Sequence, residues 1–227
     1  MKNKINYLQI AYFTIGLIGI AFIAALQMKL NIGIGPWDGF GRSISYVTGL
    51  KVGDISMLQS SVCIVITFSI LKKHFKIKHL LTLVVGLLLG TLINFFFYVF
   101  FENLNIESYI IKLVLFVLSI VASAYFVSIV QTAQFVSLPL EDLCQNLADK
   151  YNKTFALMRQ AVDIFCVAGI IIVTLVFKVP LTLREGTIIS MIIFAPFTGV
   201  FMPRLTNWLS EKQIVPLRKH NHSPEQA

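Results

Sequence analysis

Four ionisable side chains stand out in this sequence because they lie beside or inside long apolar segments. Asp38 and Glu141 each follow a proline by two positions, and Arg159 and Asp163 lie four positions apart within an apolar run. A spacing of four places Arg159 and Asp163 on one face of a helix, where they are expected to pair. Ionisable groups at membrane depth are costly, and they typically mark sites that bind a proton, an ion or a polar solute.

Each of these residues also has a purely structural explanation. Asp38 and Glu141 would meet the positive ends of helix dipoles as solvated charges if a proline begins each helix. Arg159 would lie one turn inside the membrane interface, extend its charged group towards water and neutralise Asp163. Both explanations remain open from the sequence.

The motifs of common enzymes are absent from the chain. It has no Ser-His-Asp arrangement, no HExxH and no P-loop lysine, which predicts that the protein is not an enzyme. No catalytic residue, cofactor or metal site is expected. The three cysteines, Cys63, Cys144 and Cys166, form no CxxC pattern, and free thiols are therefore predicted.

The composition indicates a membrane protein. Of the 227 residues, 56% are hydrophobic and 13% are charged, which is about half the charged fraction of a soluble domain. The net charge of +8 comes from clusters beside apolar segments, which argues against nucleic acid and favours contact with anionic lipid. The lipid bilayer is thus the expected surrounding of this chain.

Six apolar stretches are long enough to cross the hydrocarbon core as helices. The fold class predicted is therefore an all-α polytopic membrane protein. The predicted spans are Tyr7 to Met28, Gly53 to Leu71, Leu80 to Phe101, Ser108 to Val130, Phe155 to Phe177 and Gly186 to Met202.

Two segments of the chain follow the same plan, 103 positions apart. Pro36 and Gly49 in the first correspond to Pro139 and Asn152 in the second. Proline suits the first position of a helix, and glycine or asparagine often ends one in the left-handed conformation. A short amphipathic helix is therefore predicted after the first span of each unit. The two helices are expected at about 36–48 and 139–151.

Each unit contains three spans, so the second unit must enter the membrane with the opposite orientation. The six transmembrane helices are then expected to form a 3+3 inverted repeat, related by a pseudo-two-fold axis in the membrane plane. The short helices either lie on the membrane surface or are re-entrant, and the Gly33-Ile34-Gly35 sequence favours re-entry. The predicted units are 1–104 and 105–210, followed by a basic tail, 211–227, that is expected to be disordered.

The distribution of basic residues predicts the orientation. With the amino terminus inside, twelve lysines and arginines flank the inner ends of the spans and five flank the outer ends. The positive-inside rule then places both termini in the cytoplasm.

Two further residues of the first short helix complete the candidate pathway. Trp37 lies on its apolar face, and Arg42 follows Asp38 by four positions, where the two side chains are expected to pair. The candidate substrate or ion pathway therefore comprises Asp38, Glu141, Arg159, Asp163, Trp37 and Arg42.

The Gly-Ile-Gly-Pro-Trp-Asp-Gly-Phe sequence at 33–40 and the Thr-Gly-Leu-Lys-Val-Gly turn at 48–53 resemble the YczE/YyaS/YitT group of bacterial membrane proteins, as does Gly186-Thr187 at the start of the last span. The chain is more similar to the YczE branch, since nothing in it resembles the soluble carboxy-terminal domain of YitT members. The resemblance implies residence in the bacterial plasma (inner) membrane. It implies no substrate or catalytic residues.

Two functions from different classes follow from these features. The first is a transporter of a small polar solute or an ion, with its site between the inverted repeats. The alternative is a non-transporting accessory or regulatory protein that acts on a partner complex, because a symmetric scaffold does not by itself decide function. The oligomeric state is not indicated by the sequence.

Overall fold

The computed structural model describes residues 7–212, and every regular element within that range is helical. A π-helical turn, Phe96–Phe100, follows the fourth helix, and a short 3₁₀ turn, Lys72–His74, follows the third. The helices are α1 (Tyr7–Leu30), α2 (Pro36–Thr48), α3 (Val52–Leu71), α4 (Ile77–Phe95), α5 (Tyr109–Thr132), α6 (Pro139–Tyr151), α7 (Phe155–Phe177) and α8 (Glu185–Glu211).

Six of the helices within residues 7–212 are long and apolar enough to cross a membrane. They are α1, α3, α4, α5, α7 and α8, and they confirm the six predicted apolar helices. The last of them ends later than predicted, at Glu211 rather than Met202, because the helix continues through Pro196 and Pro203. Of the predicted tail, residues 213–227 lie outside the described residues.

The two short helices begin and end at the predicted residues. Pro36 and Pro139 occupy the first turns of α2 and α6, and each helix contains 13 residues. Gly49 (φ 72°) and Asn152 (φ 52°) end them in the left-handed conformation. At the end of α2, the Gly49 N–H donates to the Ser45 carbonyl oxygen over 2.9 Å, which satisfies a carbonyl that the helix leaves free.

The same backbone geometry also recurs at the ends of the preceding long helices. Asn31 follows α1 with φ 56°, and Gln134 follows α5 with φ 49°. These residues are again 103 positions apart. Left-handed backbone at non-glycine residues is uncommon, so its recurrence at matching positions shows that the two segments share a local conformation.

The helices pack in two groups. In the first group, α2, α7, α6 and α3 form a closed ring, since α2 packs on α7, α7 on α6, α6 on α3 and α3 on α2. In the second group, α1 packs on α4 and α5, and α5 packs on α8. The contact of α3 with α4 joins the two groups, and the ring places α2 and α6 diagonally across from each other.

Small residues bring α3 and α4 close together. A Cβ atom added at Gly53 would overlap the Gly90 carbonyl oxygen, and one added at Gly86 would lie 2.5 Å from the Ser60 Cβ. Asn94 of α4 joins the same interface, since its Oδ1 accepts from the Gly53 N–H at 2.8 Å and its Nδ2 donates to Asp54 Oδ1 at 2.8 Å. The contact is typical of membrane helices, which associate through small residues and interhelical hydrogen bonds.

Substituting Gly53 by alanine should therefore destabilise the protein. The added methyl group would force α3 away from the Gly90 carbonyl, and overpacking of this kind costs about 1–3 kcal/mol. Gly199→Ala in α8 is the matched control, because a Cβ atom there meets nothing within 4 Å. The free energy of unfolding of each purified variant is measured by adding a denaturing detergent to the protein in a mild one. Equal stability of the two variants would contradict the close approach.

Candidate functional site

Arg159 and Asp163 form an ion pair along α7. Arg159 Nη1 lies 3.0 Å from Asp163 Oδ1, and the two side chains are 29% and 18% exposed. Thr154 caps the start of α7 by accepting the Leu157 N–H at 3.3 Å, which fixes the first turn one turn before Arg159. The predicted pair is thus confirmed, and it lies on the helix that contacts both short helices.

Asp38 and Glu141 approach this pair from different helices. Asp38 lies in the first turn of α2 and Glu141 in the first turn of α6, and both α2 and α6 pack on α7. The Arg159 guanidinium and the Asp163 carboxylate act electrostatically on both residues, and Glu141 also acts on Asp38. Four of the predicted site residues therefore lie on α7 and on the two short helices that pack on it, within electrostatic range of one another. We refer to Asp38, Glu141, Arg159 and Asp163 as the charge cluster.

The surroundings of the charge cluster raise the pKa of two of its carboxyl groups. Burial raises the pKa of Asp38 from 3.8 to about 6, with the positive charge of Arg159 opposing the shift and the negative charges of Glu141 and Asp163 adding to it. Burial also raises the pKa of Glu141, and Arg159 again opposes the shift. The side chains of Asp38 and Glu141 are half-buried.

Three buried thiols lie on the helices of the ring. Cys63, Cys144 and Cys166 are free and buried, which confirms the prediction of free thiols. They come from α3, α6 and α7, so three helices of the ring contribute one each. Within residues 7–212, no group of three or more His, Cys, Asp or Glu side chains is arranged to hold a metal ion.

Arg42 is held by partners other than the predicted one. Its Nη1 donates to the Met28 carbonyl oxygen at 2.6 Å and its Nε to the Tyr46 hydroxyl at 2.9 Å, and the ion pairs of the described residues do not include Arg42 with Asp38. The predicted pair is wrong because the end of α1 offers Arg42 a carbonyl acceptor. Arg159, rather than Arg42, is therefore the arginine whose positive charge acts on Asp38.

Trp37 is anchored through its backbone. Its carbonyl oxygen accepts a hydrogen bond from Gln59 Nε2 of α3 at 3.3 Å, and its side chain is half-buried. Next to it along α2, Phe40 packs against α7, where a Cβ atom added at Gly169 would lie 2.7 Å from the Phe40 ring. These contacts fix α2 between α3 and α7, and so they position Asp38.

One buried polar contact was missed by the sequence analysis. His79, which the sequence analysis did not single out, lies in the first turn of α4 with its Nδ1 atom 2.7 Å from Asp142 Oδ2 of α6. Both residues are more than 90% buried. The only signal in the sequence was the second acid in the first turn of α6, where Asp142 follows Glu141.

A groove of about 200 Å³ lies elsewhere in the molecule, between α1, α5 and α8. Its lining is mainly apolar and aromatic, with Tyr12, Tyr125 and Trp208 among its residues. No member of the charge cluster contributes to it. Aromatic residues of this kind are typical of the membrane interface. The groove is therefore not assigned to the candidate site.

Comparison with known proteins gives a family and two curated relatives. The family described as a family of unknown function, DUF6198, matches residues 7–203. The uncharacterized protein YyaS of Bacillus subtilis (strain 168) is 25% identical over 192 residues, which cover 85% of this chain and 91% of the relative. The uncharacterized membrane protein YczE of the same organism is 27% identical over 165 residues, 72% of this chain and 74% of the relative.

No solved structure matches the chain. The relatives confirm the resemblance to the YczE/YyaS group, and with the six apolar helices they identify a multi-pass membrane protein.

The raised pKa of Asp38 predicts a pH-dependent stability. Between about pH 4 and pH 6 the folded state binds more protons than the unfolded state, because the pKa of Asp38 is about 6 when folded and near 3.8 when unfolded. The free energy of unfolding should therefore fall as the pH rises through this range. Asp38→Asn should lessen this slope, although the raised pKa of Glu141 maintains part of it, and it should be more stable than the wild type at pH 7, with the advantage vanishing near pH 4.

Thermal unfolding in detergent between pH 4 and pH 8 measures this difference. Asp149→Asn is the control, because Asp149 lies on the exposed side of α6, where it accepts from Gln145 Nε2 at 2.9 Å. If Asp38→Asn and Asp149→Asn changed the pH dependence equally, Asp38 would not be the titrating group.

Proposed function

The chain belongs to DUF6198, a family of unknown function, and we propose that it is a small transporter whose solute or ion site is the charge cluster. One observation carries the proposal. Two short helices that begin with proline, in corresponding places 103 positions apart, both pack on α7, and each carries a carboxyl group in its first turn within the electrostatic influence of the Arg159–Asp163 pair. In transporter folds, duplicated and interrupted segments of this kind mark the binding site.

The proposed architecture is a 3+3 inverted repeat with units 1–104 and 105–210. Reciprocal packing supports this architecture. In the two units, α2 corresponds to α6 and α3 corresponds to α7. The short helix of each unit packs on the following long helix of the other unit, α2 on α7 and α6 on α3. The position of the short helices supports it too. Thr182, just beyond the end of α7, donates to the Gly39 carbonyl oxygen of α2 at 3.1 Å, whereas α6 connects to the start of α7 through Asn152. The short helices thus reach α7 from opposite ends.

The proposed location is the bacterial plasma membrane, with both termini in the cytoplasm. The excess of lysine and arginine at the inner ends of the spans supports this orientation. In it, α6 enters from the cytoplasmic side and α2 from the outer side. Both helices are re-entrant, since their first turns lie close enough to Arg159, within a membrane-spanning helix, to feel its charge.

The charge of the site indicates which ligands it accepts. Three carboxyl groups face one guanidinium, so the fully ionised cluster carries an excess of negative charge within the protein. An uncompensated charge of this kind is unfavourable at membrane depth, and protons or a cationic group must balance it. The proposed substrate is therefore a proton-exchanging cation or a small polar solute with a cationic group.

Flux into liposomes tests the proposal. The purified protein should move protons against monovalent cations or small organic amines, and Asp38→Asn or Glu141→Gln should lower the rate at least about tenfold, since each removes a charge that balances the ligand. Asp149→Asn should leave the rate unchanged. If the wild type moves no such solute under a proton or cation gradient, transport is wrong as the function.

Cysteine labelling tests the inverted arrangement separately. Leu50→Cys and Tyr151→Cys each place a thiol at an exposed position beside the end of a short helix, 51% and 57% exposed in the wild type. A membrane-impermeant thiol reagent should label the first only from outside the cell and the second only from the cytoplasm. Labelling of both from one side would exclude the inverted repeat.

A further inference from the structure

The buried contact of His79 with Asp142 joins the two proposed halves on one side of the molecule. His79 is 2% exposed and Asp142 is 8% exposed. The two residues belong to α4 and α6, which also pack on each other. A buried polar pair is stable only if its remaining hydrogen-bonding groups are satisfied.

The surroundings of the contact supply a further hydrogen bond to Asp142 and a ring contact to His79. Asn146 Nδ2, one turn further along α6, lies 3.2 Å from Asp142 Oδ2 and 2.6 Å from the Asp142 carbonyl oxygen, and it donates to both. The Phe75 ring packs against the His79 ring with 5.1 Å between their centroids. Both partners are therefore held in fixed positions.

The contact is mechanically connected to the charge cluster. Asp142 directly follows Glu141 in the first turn of α6. One of these neighbouring side chains reaches His79 of α4, and the other feels the charge of Arg159 of α7. Because a 13-residue helix moves as a unit, a displacement of α6 that breaks the first contact also moves Glu141 relative to Arg159.

A neutral counterpart of the contact lies between the opposite elements. Positions 103 away from His79, Asp142 and Asn146 are Thr182, Gly39 and Ser43. In the structure, Thr182 Oγ1 donates to the Gly39 carbonyl oxygen, and it lies 2.9 Å from Ser43 Oγ. The same three positions therefore meet on both sides, with the partners exchanged between the halves. Only one side uses ionisable residues.

We propose that His79 and Asp142 form a gate contact, which keeps α6 and Glu141 closed over the charge cluster on the side where α4 begins. Opening breaks this contact and admits solvent to the cluster from that side, while the contact of Thr182 with α2 keeps the opposite side closed. The role of the gate in transport rests on the proposed function. The movement of α6 is a property of the fold and is measured without any flux.

Cys144 is a natural reporter of this movement. It lies on α6 one turn from Glu141, it is fully buried, and burial raises the pKa of its thiol to about 11. A thiol in this state reacts slowly, because the thiolate is the reactive form. Opening of the gate would expose Cys144 to water and accelerate its reaction. Cys63→Ala and Cys166→Ala leave Cys144 as the single cysteine.

The experiment compares the rate at which a membrane-impermeant thiol reagent labels Cys144 from each side of membrane vesicles. His79→Ala should raise the rate about tenfold or more from the side of α4, as expected for the loss of a buried hydrogen bond. His79→Asn keeps a donor near the Nδ1 position and should restore a slow rate. His74→Ala is the matched control, because His74 is exposed and precedes the same helix.

Thr182→Val supplies the second comparison. It removes the counterpart contact and should leave labelling from the side of α4 unchanged. The proposed gate is excluded if Cys144 is labelled no faster in His79→Ala than in His74→Ala. It is also excluded if Cys144 of His79→Ala is labelled equally fast from both sides. A protein that shows side-specific labelling but no flux would retain the gate and exclude the transport function.

Discussion

The charge cluster depends on one positive charge, that of the half-buried Arg159. Three carboxyl groups, those of Asp38, Glu141 and Asp163, lie within its electrostatic influence. Without the guanidinium, the first turns of α2 and α6 would bring like charges together in a poorly solvated space. Within residues 7–212, the ion pair of Arg159 is with Asp163. In the proposed transporter, a proton or a ligand balances the charge of the other two carboxyl groups.

The packing around this charge is asymmetric, and the sequence shows the reason. Gly86 and Gly90 allow α4 to lie directly against α3, but the residues 103 positions later are Ile189 and Ile193. These isoleucines pack against the buried cluster that contains Phe116 of α5. Among the described residues, α8 accordingly packs on α5 and has no comparable contact with α7. The outer face of α7 therefore carries exposed apolar residues, including Phe165 and Leu175, as expected for a surface that meets lipid.

Local chemistry made much of this arrangement predictable. Pro36, Pro139 and the left-handed residues Gly49 and Asn152 act on the backbone next to them, so the bounds of α2 and α6 follow from sequence alone. The Arg159–Asp163 pair was predictable for the same reason, since four positions along a helix fix its geometry. The contact of His79 with Asp142 was not, because it joins residues 63 positions apart and depends on how α4 and α6 pack. Arg42 shows a related limit, since its carbonyl acceptor belongs to another helix.

The two corresponding segments differ where they meet ionisable groups. Asp163 stands where the first copy has Ser60, which bonds within its own helix to the Ser56 carbonyl oxygen, and Asp142 stands where the first copy has Gly39. The second copy therefore supplies both the ion pair of the cluster and the acid that meets His79, while the first supplies Asp38 and neutral contacts. In the proposed inverted repeat, the states open to the two sides would then differ in energy, because only one of them separates an ionisable pair. A protein built in this way would rest closed on the His79 side, and a change in the charge of the cluster would be needed to open it.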